Sequence, residues 1–549
     1  MDLDGYLIAL IIIVIWVAIL QIGKRLKFWE KVHCQVYGKI FLMVKTVKGR
    51  DFIDRVARRK RFWTTYGRIS VMVTIGSMLT LTSILIWEFF LVFSLPPEAA
   101  PSPELILGLP GINPIIPLWY GILGLVVAIV VHEVAHGILA RTASIKVESL
   151  GLLFLVVPMG AFVEPNEEEI QKTTGKNRAR LFAAGPATNI LVAFICFLLL
   201  FLVFAPAVQP VSPGAIVRGV VNDSPADRFG VPVSSEIISV NGSQIFSATD
   251  ISNVTFSQPG DPVPVGILYD SNRSVVQIPG GIVVASVVSG APAQLAGIAP
   301  GMIVESLNNE VINSRQEWTS VIENTTHSAP VNISVLSYAF DASQGKYWFI
   351  KNPNVTLITL VSKFEYYQQN DPSNNKESYR NQSFIGISSS VFGVTVMDAD
   401  MISSTYSEPL KGDPFIASFR LIALPFLGLS PIEGPLSHLY EPTGALDWMP
   451  IDIYWAFMNS LYWIFWLNLM VGLTNALPAV PLDGGFVFRD LLKGVFERSN
   501  AKRKALGELA GKKLFTEADM ERYISFISLV LSVMVLFLIL WQIVGPRVL

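Results

Sequence analysis

Residues 117–140 read PLWYGILGLVVAIVVHEVAHGILA, and this stretch determines what kind of architecture the chain can adopt. It is long and apolar enough to cross the hydrocarbon core of a bilayer, about 30 Å thick, as a single helix. Three ionisable side chains, those of His132, Glu133 and His136, nevertheless lie within it. Because ionisable groups are costly in lipid, they predict a functional site inside a membrane helix.

The composition of the whole chain agrees with a membrane protein. Of its 549 residues, 51% are apolar and 15% are charged, whereas an average soluble domain has roughly 25% charged residues. The net charge of −2 does not indicate the concentrated basic surface that binds nucleic acid, so no nucleic-acid partner is expected. The two cysteines, Cys34 and Cys196, are too few for a disulfide framework or a thiolate metal cluster.

Five apolar stretches are long enough to span the bilayer, and a sixth is interrupted by polar residues. They cover residues 6–23, 70–95, 117–140, 181–208 and 523–545, with the sixth near 453–480. The first stretch lacks the basic region and the clear cleavage site of a signal peptide, which favours a retained helix. The apolar run Leu150 to Val163 is too short to span, so we expect a membrane-embedded hairpin or re-entrant loop. Residues 415–430 are left unassigned. The three alternatives are that they span the membrane, dip into it or lie on its surface.

Charge bias predicts the orientation of these segments. Residues 24–68 contain 14 Lys and Arg against three acidic residues, which places this loop in the cytoplasm. Counting crossings from there puts the polar stretch 210–412 outside and the basic loop 486–522 inside. All eight Asn-x-Ser/Thr sequons lie in the external stretch, as expected for its exposure outside the cytoplasm; they are at Asn222, Asn241, Asn253, Asn272, Asn324, Asn332, Asn354 and Asn381.

An internal repeat with a constant offset of 67 residues lies in the external stretch. Residues 220–226, VVNDSPA, are echoed by residues 287–293, VVSGAPA, and Gly230 corresponds to Gly297. The pattern predicts a strand, a helix that starts at proline, a glycine stop, a second strand and a tight turn. It resembles a tandem of PDZ domains. A duplicated β-rich spacer without a peptide groove is the alternative.

The spacing of the two histidines predicts a metal site. His132 and His136 are four residues apart, so on a helix they share a face and can bind one tetrahedral zinc ion. Glu133 lies beside that position rather than on it. It can take a proton from the attacking water and pass the proton to the leaving amine.

Two histidines leave a catalytic zinc one protein ligand short. The best remaining candidate is Asp483, which follows the prolines Pro478 and Pro481 and precedes two glycines. Prolines break the helix there, and glycines allow close backbone approach, so the carboxylate can turn into a bundle interior. Stretches 117–140 and 453–480 both run from outside to inside, which places Asp483 and the histidines together towards the cytoplasmic side.

These features together resemble the site-2 protease family: a membrane helix with His-Glu-x-x-His, a later Leu-Asp-Gly motif and PDZ-like repeats between them. Residues 158–163, PMGAFV, resemble the family's embedded hairpin, although Ala161 stands where a second glycine is common. Asn189, in a Gly-Pro-x-x-Asn patch, and Asn475 also match. The resemblance implies that these two amides hold substrate or the developing oxyanion. Alternatively, Asn189 only bonds a neighbouring helix.

The predicted fold is a polytopic α-helical membrane protein, with about six transmembrane helices, an embedded hairpin and an inserted extracytoplasmic α+β region of two PDZ-like domains. The predicted domains are residues 1–112 for the N-terminal helices and basic loop, 113–209 for the first part of the protease core, 210–278 and 279–400 for the two repeats, and 401–549 for the second part of the core.

The predicted function is that of an intramembrane zinc metalloprotease that hydrolyses transmembrane substrates in a multi-pass protein of the cell membrane. The resemblance implies regulated intramembrane proteolysis after an upstream site-1-type protease. One alternative is a divalent-metal transporter, because intramembrane His and Asp also mark ion pathways; the non-ligand Glu133 favours hydrolysis. The other is a non-catalytic PDZ scaffold, against which the intact set His132, Glu133, His136 and Asp483 argues.

Overall fold

A computed structural model of the chain describes two compact units, one formed by Met1–Leu200, Ile422–Ser430 and Met458–Leu549 and the other by Phe201–Leu421 and Pro431–Phe457. The residues described within them are 3–31, 34–46, 49–94, 101–106, 108–155, 157–326, 328, 330–341, 346–351, 356–370, 375–401, 404, 413, 422–426, 430–505 and 514–548. The unassigned segment 415–430 therefore lies largely outside the described residues.

The first part of the chain is mainly helical, with four strands. The elements are α1 (Leu3–Arg25), α2 (Phe28–Lys31), β1 (Cys34–Tyr37), β2 (Phe41–Thr46), α3 (Arg50–Ala57), α4 (Lys60–Leu91), α5 (Leu118–Thr142), β3 (Val147–Leu155), β4 (Val157–Pro165), α6 (Glu167–Lys172) and α7 (Gly175–Leu199). Short 3₁₀ turns occur at Val92–Ser94, Pro103–Ile106 and Ala205–Ala207, and a π turn at Leu200–Phe204.

The middle of the chain is rich in strands. Its elements are β5 (Val208–Pro210), β6 (Ala215–Val220), α8 (Pro225–Arg228), β7 (Glu236–Val240), β8 (Ser243–Gln244), α9 (Ala248–Ser252), β9 (Pro262–Tyr269), β10 (Asn272–Pro279), β11 (Ile282–Val287), α10 (Pro292–Leu295), β12 (Ile303–Leu307), β13 (Glu310–Val311), α11 (Arg315–Asn324), β14 (Pro330–Asp341), β15 (Lys346–Lys351), β16 (Thr356–Thr359), β17 (Val361–Ser362), α12 (Lys363–Asn370), β18 (Ser383–Phe384), β19 (Ile387–Val391) and β20 (Val394–Asp398), with a 3₁₀ turn at Glu377–Tyr379.

The last part returns to long helices. After 3₁₀ turns at Gly434–Leu439 and Gly444–Leu446 and the strand β21 (Tyr440–Pro442), the chain forms α13 (Ile451–Asn475), α14 (Asp483–Ala505) and α15 (Glu517–Val548).

Within the described part of the chain, five helical segments are long and apolar enough to cross a membrane, and each coincides with a predicted stretch. They are Lys60–Ser94, Leu118–Thr142, Gly175–Ala207, Ile451–Asn475 and Glu517–Val548. The remaining predicted stretch, 6–23, falls within α1, where many side chains lie outside the described residues. The chain is thus a multi-pass membrane protein with an additional β-rich region.

The apolar run Leu150 to Val163 forms a β-hairpin. Strands β3 and β4 pair antiparallel, with Leu150 opposite Val163 and Gly151 opposite Phe162. The hairpin is half of a four-stranded sheet in the order β1-β2-β3-β4. Strands β1 and β2 come from the basic stretch 24–68, which was expected to be a loop. That expectation included no strands, whereas β2 pairs with β3 and β1 pairs with β2, so that both short runs satisfy their backbone groups.

Small and hydroxylated residues let the membrane helices pack closely, as is common in bilayers. A Cβ atom on Gly124 of α5 would lie 2.6 Å from the backbone oxygen of Trp463 on α13. The Thr74 hydroxyl of α4 donates to the Ala183 carbonyl of α7 at 3.3 Å. The first contact brings α5 against α13, and the second brings α4 against α7.

The two repeats have corresponding elements that begin 67 residues apart: β6 and β11, α8 and α10, β7 and β12. Both short helices start with proline, which suits the first helical position. Gly230 and Gly297 then adopt positive φ angles of 73° and 76°, which glycine tolerates. Each sheet is completed by a strand that comes late in the β-rich region, and the later of these two strands belongs to the sheet of the first repeat. Strand β20 pairs with β6 of the first repeat, while β19 pairs with β11 of the second.

Candidate metal centre

Helix α5 places His132 and His136 on one face, one turn apart. Their ring centroids are 4.8 Å apart, and both residues are buried, with 7% and 8% of their surface exposed. Buried imidazoles in an apolar bundle require polar partners. Each of the two rings therefore needs a polar partner.

Asp483 supplies a carboxylate to both rings. Its Oδ2 atom lies 2.9 Å from His132 Nε2 and 3.2 Å from His136 Nε2. One candidate ligand atom from each residue lies within 4.8 Å of the others. Asp483 is the first residue of α14, and a helix N-terminus favours negative charge.

The glycines after Asp483 explain how α14 reaches this position. A Cβ atom on Gly484 would lie 2.1 Å from the Ala476 carbonyl oxygen, and one on Gly485 would lie 2.7 Å from the Ala479 backbone. Only glycine allows the start of α14 to approach the end of α13 so closely.

The His136 ring is oriented by the backbone of α7. Its Nδ1–H donates to the Leu181 carbonyl at 2.8 Å, so Nε2 is the ring nitrogen that faces Asp483. Such a bond from the second ring nitrogen is typical of metal-binding histidines. Nδ1 of His132 is buried without a partner among the described residues.

The space in front of the two histidines is kept open by Gly185 on α7. A Cβ atom at this position would lie 2.5 Å from Nε2 of His132 and 2.5 Å from Nε2 of His136. Two imidazole nitrogens and one carboxylate, converging on an open space, fit the donor set and tetrahedral geometry that zinc prefers. The residues present thus fit a zinc ion.

Glu133 lies in the same cavity but points elsewhere. The cavity has a volume of 390 Å³ and is lined by Glu133, the three candidate ligands, Val163 and Asn475, among others. Oε2 of Glu133 accepts a hydrogen bond from the backbone N–H of Val163 on β4 at 3.0 Å. The hairpin thereby holds a carboxylate beside the candidate ligands.

The two predicted amides are placed differently. Asn475, the last residue of α13, lines the cavity. Asn189 lies one turn after Gly185 on α7, is fully buried, and has no hydrogen-bond partner for either side-chain amide atom among the described residues. The alternative role of Asn189 requires a hydrogen bond to a neighbouring helix, and the described residues include no such bond.

Several residues that shape the site were not predicted. Gly185 was noted only as part of a patch, whereas its role depends on a contact with another helix. Leu181 and Val163 act through backbone atoms, for which side-chain motifs give no signal. The Arg178 guanidinium donates to Asp490 at 2.6 Å and so ties α7 to α14. Nothing in the sequence around Arg178 indicated that Asp490, 312 positions later, is its partner.

The other histidine that the structure describes, His438, does not join the cluster. His438 belongs to the other compact unit, where its Nδ1 lies 2.6 Å from Asp270 and its Nε2 lies 3.2 Å from Asp452. His33 and His327 lie outside the described residues.

Comparison with known proteins finds relatives over most of the chain. The sequence model of Peptidase family M50 matches residues 120–511. An uncharacterized protein of Methanocaldococcus jannaschii is 34% identical over 196 residues, which cover 35% of this chain and 50% of that protein. Protease RseP of Yersinia pestis is 21% identical over 439 residues, which cover 68% of this chain and 90% of RseP.

A candidate zinc metalloprotease of Mesorhizobium japonicum is 23% identical over 192 residues, which cover 28% of this chain and 51% of that protein. The chain thus spans about half the length of the M. jannaschii and M. japonicum relatives (50% and 51%).

Proposed function

This chain belongs to peptidase family M50, the site-2 protease family, and we propose that it is a membrane zinc metalloprotease that hydrolyses peptide bonds of transmembrane substrates. The observation that carries the proposal is the convergence of three candidate ligands, His132, His136 and Asp483. The two histidines lie with Glu133 on α5, a helix able to span the membrane. A hydrolytic site needs both a ligand set and a separate proton acceptor.

The three converging residues would hold the zinc ion, two through Nε2 and one through a carboxylate oxygen. When bound, zinc supplies Lewis acidity that polarises the scissile carbonyl and the attacking water. The protein's own part is to orient these ligands. Leu181 fixes the His136 ring, Gly185 keeps the space open, and the ion pair between Arg178 and Asp490 ties α7 to α14, the helix that carries Asp483.

Glu133 is the proposed general base and acid. Its bond from the Val163 N–H engages Oε2, so Oε1 is available to accept a proton from the attacking water. The same carboxyl group then delivers that proton to the leaving amide nitrogen. Substitution by glutamine removes this proton transfer while keeping the shape of the side chain.

Strand β4 is the proposed docking edge for the substrate. It is the last strand of its sheet, with β3 on one side only, and its residues Val163 and Pro165 line the cavity. A substrate helix hides its carbonyls in its own hydrogen bonds and must unwind before cleavage. An exposed strand edge offers backbone groups that pair with such an unwound segment.

Asn475 and Asn189 are the proposed amide donors for the substrate backbone or the developing oxyanion. The cavity position of Asn475 and the unpartnered, buried amide of Asn189 support this role. Side-chain amides that point at developing charge in a water-poor site stabilise it strongly.

The proposed topology places the PDZ-like repeats outside the cytoplasm and the metal centre towards the cytoplasmic side. The charge bias of residues 24–68 supports this orientation. The repeats would then select substrates already shortened by an upstream site-1-type protease, as in regulated intramembrane proteolysis.

The test is Glu133→Gln, with Glu497→Gln on the exposed face of α14 as the matched control. We expect Glu133→Gln to retain zinc while cleavage of a membrane-helix substrate falls at least about 100-fold, the lower bound for loss of a general base. The control should cleave normally. A transporter or scaffold would not lose its function in this way. Normal cleavage by a zinc-loaded Glu133→Gln protein would contradict the proposed mechanism.

A further inference from the structure

A second cavity, with a volume of 310 Å³, lies at the junction of α3 and α4. Its lining consists of Arg55, Val56, Arg59, Phe62 and Trp63. Two guanidinium groups and two aromatic rings therefore border one space, and none of these residues belongs to the metal centre.

The charge around this cavity is strongly positive. The exposed residues Arg55, Arg58, Arg59, Lys60 and Arg61 follow one another closely. None of the five forms an ion pair with an acidic residue in the part of the chain that the structure describes. Of the two acids on α3, Asp54 is already paired with Arg141, which leaves Asp51. The cavity is therefore suited to an anion that can accept hydrogen bonds from two guanidinium groups, as a phosphate does.

The start of α4 adds to this preference. Arg59 is the N-cap residue and makes no side-chain capping bond, so the N–H groups of the first turn, apart from that of Lys60, which donates to the Arg58 carbonyl, have no side-chain cap there. Such groups favour anions, although here the guanidinium groups are the main attraction.

The position of the cavity relative to the membrane identifies the kind of anion. Helix α4 belongs to a segment long and apolar enough to span the bilayer, and the basic cluster immediately precedes its apolar part. Trp63 is fixed by its indole N–H, which donates to the Val56 carbonyl at 2.8 Å. Aromatic residues at the end of a spanning helix lie at the level of lipid headgroups.

Apolar surface continues from the cavity along α4. Phe62, Ile69, Met72 and Leu79 lie on one side of the helix and are 58%, 48%, 64% and 64% exposed. A phospholipid could place its phosphate in the cationic cavity and its acyl chains along this apolar surface. A soluble phosphate would use only the cationic half.

We propose that the cavity between α3 and α4 binds the phosphate headgroup of an anionic phospholipid, with Arg55 and Arg59 as its principal ligands. Basic clusters directly beside a membrane helix attract anionic lipids, and each Lys or Arg near the surface adds to the attraction. The paired guanidinium groups add a defined geometry to that attraction.

The headgroup site shares packing with the metal helix. Val56 and Trp63 pack against a buried cluster that includes Ala135, Ile138 and Ala184. Ala135 and Ala184 directly precede His136 and Gly185 in the chain. A bound lipid should therefore stabilise the same bundle, since a ligand that binds the native state raises its stability.

The experiment measures lipid binding to the purified full-length chain by native mass spectrometry, and does not depend on proteolysis. Phosphatidylglycerol is compared with phosphatidylcholine of the same acyl chains, and with glycerol 3-phosphate as the headgroup without chains. We expect phosphatidylglycerol to bind at least about tenfold more tightly than either, a difference of about 1.4 kcal/mol. Equal binding of the two lipids, or equally tight binding of glycerol 3-phosphate, would overturn the proposal.

The variant that tests the residues is R55Q/R59Q, and its matched control is R498Q/K502Q, which removes two exposed charges from α14. R55Q/R59Q should lose the preference for phosphatidylglycerol, while R498Q/K502Q keeps it. Equal loss in both double variants would show that overall charge, rather than this cavity, governs binding, and retention of the preference in R55Q/R59Q would show that the two arginines are not the ligands. Because both arginines are exposed, the bundle should fold in either variant, and the wild-type lipid comparison stands without any variant.

Discussion

Gly185 and His132 are so close that no other side chain fits between them. A Cβ atom on Gly185 would lie 2.5 Å from Nε2 of His132, and equally close to Nε2 of His136. Helix α7 thus defines the open side of the candidate metal centre although it contributes no ligand. The glycine should matter for metal binding rather than for helix formation, since glycine inside a helix is otherwise unfavourable.

We therefore expect Gly185→Ala to reduce the zinc content of the purified protein from about one ion per chain to a small fraction of that value. The added methyl group must displace the imidazoles from the position that zinc requires. Elemental analysis measures the effect. Gly76→Ala is the control, because a Cβ atom at Gly76 meets nothing within 4 Å. Equal zinc in both proteins would refute the assigned role of Gly185.

Substitutions of the proposed ligands should differ from Glu133→Gln. His136→Ala should lose bound zinc, and Asp483→Asn should lower both zinc affinity and cleavage, because an amide is a poorer zinc ligand than a carboxylate. Zinc titration against a competing chelator, together with a cleavage assay, separates the two effects. Wild-type zinc affinity in either variant would remove that residue from the ligand set.

Asn189→Leu should make the protein more stable and less active. The buried amide has no partner among the described residues, and an unsatisfied polar group of this kind costs about 1–3 kcal/mol. Leucine removes that penalty with a similar volume. We expect a higher midpoint of thermal unfolding and a lower kcat. A less stable variant with unchanged kcat would indicate that Asn189 is structural.

His438 should make folding stability depend on pH. The hydrogen bond that His438 Nδ1–H donates to the Asp270 carboxylate raises the pKa of His438 above its ordinary value of 6.5. A raised pKa means that this stabilisation is fully present below about pH 6.5 and is lost as the pH rises through the higher folded value. The thermal midpoint of wild-type protein should fall over that range.

His438→Gln should remove that part of the pH dependence, because glutamine does not titrate. Asp270→Asn should reduce it, since the largest cause of the shift is then absent. Identical pH profiles for wild type and His438→Gln would rule out His438 as the source.

A cysteine placed at Ser271 should react with a membrane-impermeant thiol reagent applied from outside the cell. Ser271 is exposed in the turn between β9 and β10, within the region proposed to lie outside the cytoplasm. The native thiols of Cys34 and Cys196 are buried and should add little background. A cysteine at Arg498 should react only after the membrane is disrupted. The reverse pattern would invert the topology.

The sequence predicted those parts of the molecule whose signals are local. The five apolar spans, the β-hairpin and the repeat follow from runs and periods within the chain, and the family match confirms the resemblance to site-2 proteases. The meeting of Asp483 with the two histidines was expected from topology and is present in the structure.

Other features depend on partners that are distant in the chain. Strands β1 and β2 were missed because four and six residues are too few for a clear alternation. They are stabilised by the pairing of β1 with β2 and of β2 with β3. The two sheets are completed by β19 and β20, at 387–398, near the end of the range predicted for the second repeat. The repeat pattern itself does not include these strands. The contact of Val163 with Glu133 uses a backbone group, which every residue possesses.

Residues His132 and Asp483 are separated by 351 positions in the chain. Under the proposed assignment, a ribosome must therefore synthesise the membrane helices α5 and α7, both repeats and α13 before the third ligand exists. Throughout that interval the nascent chain carries two histidines and a base but an incomplete ligand set. If the chain is the proposed protease, it therefore cannot cleave neighbouring nascent helices in the insertion machinery until the start of α14 has been made.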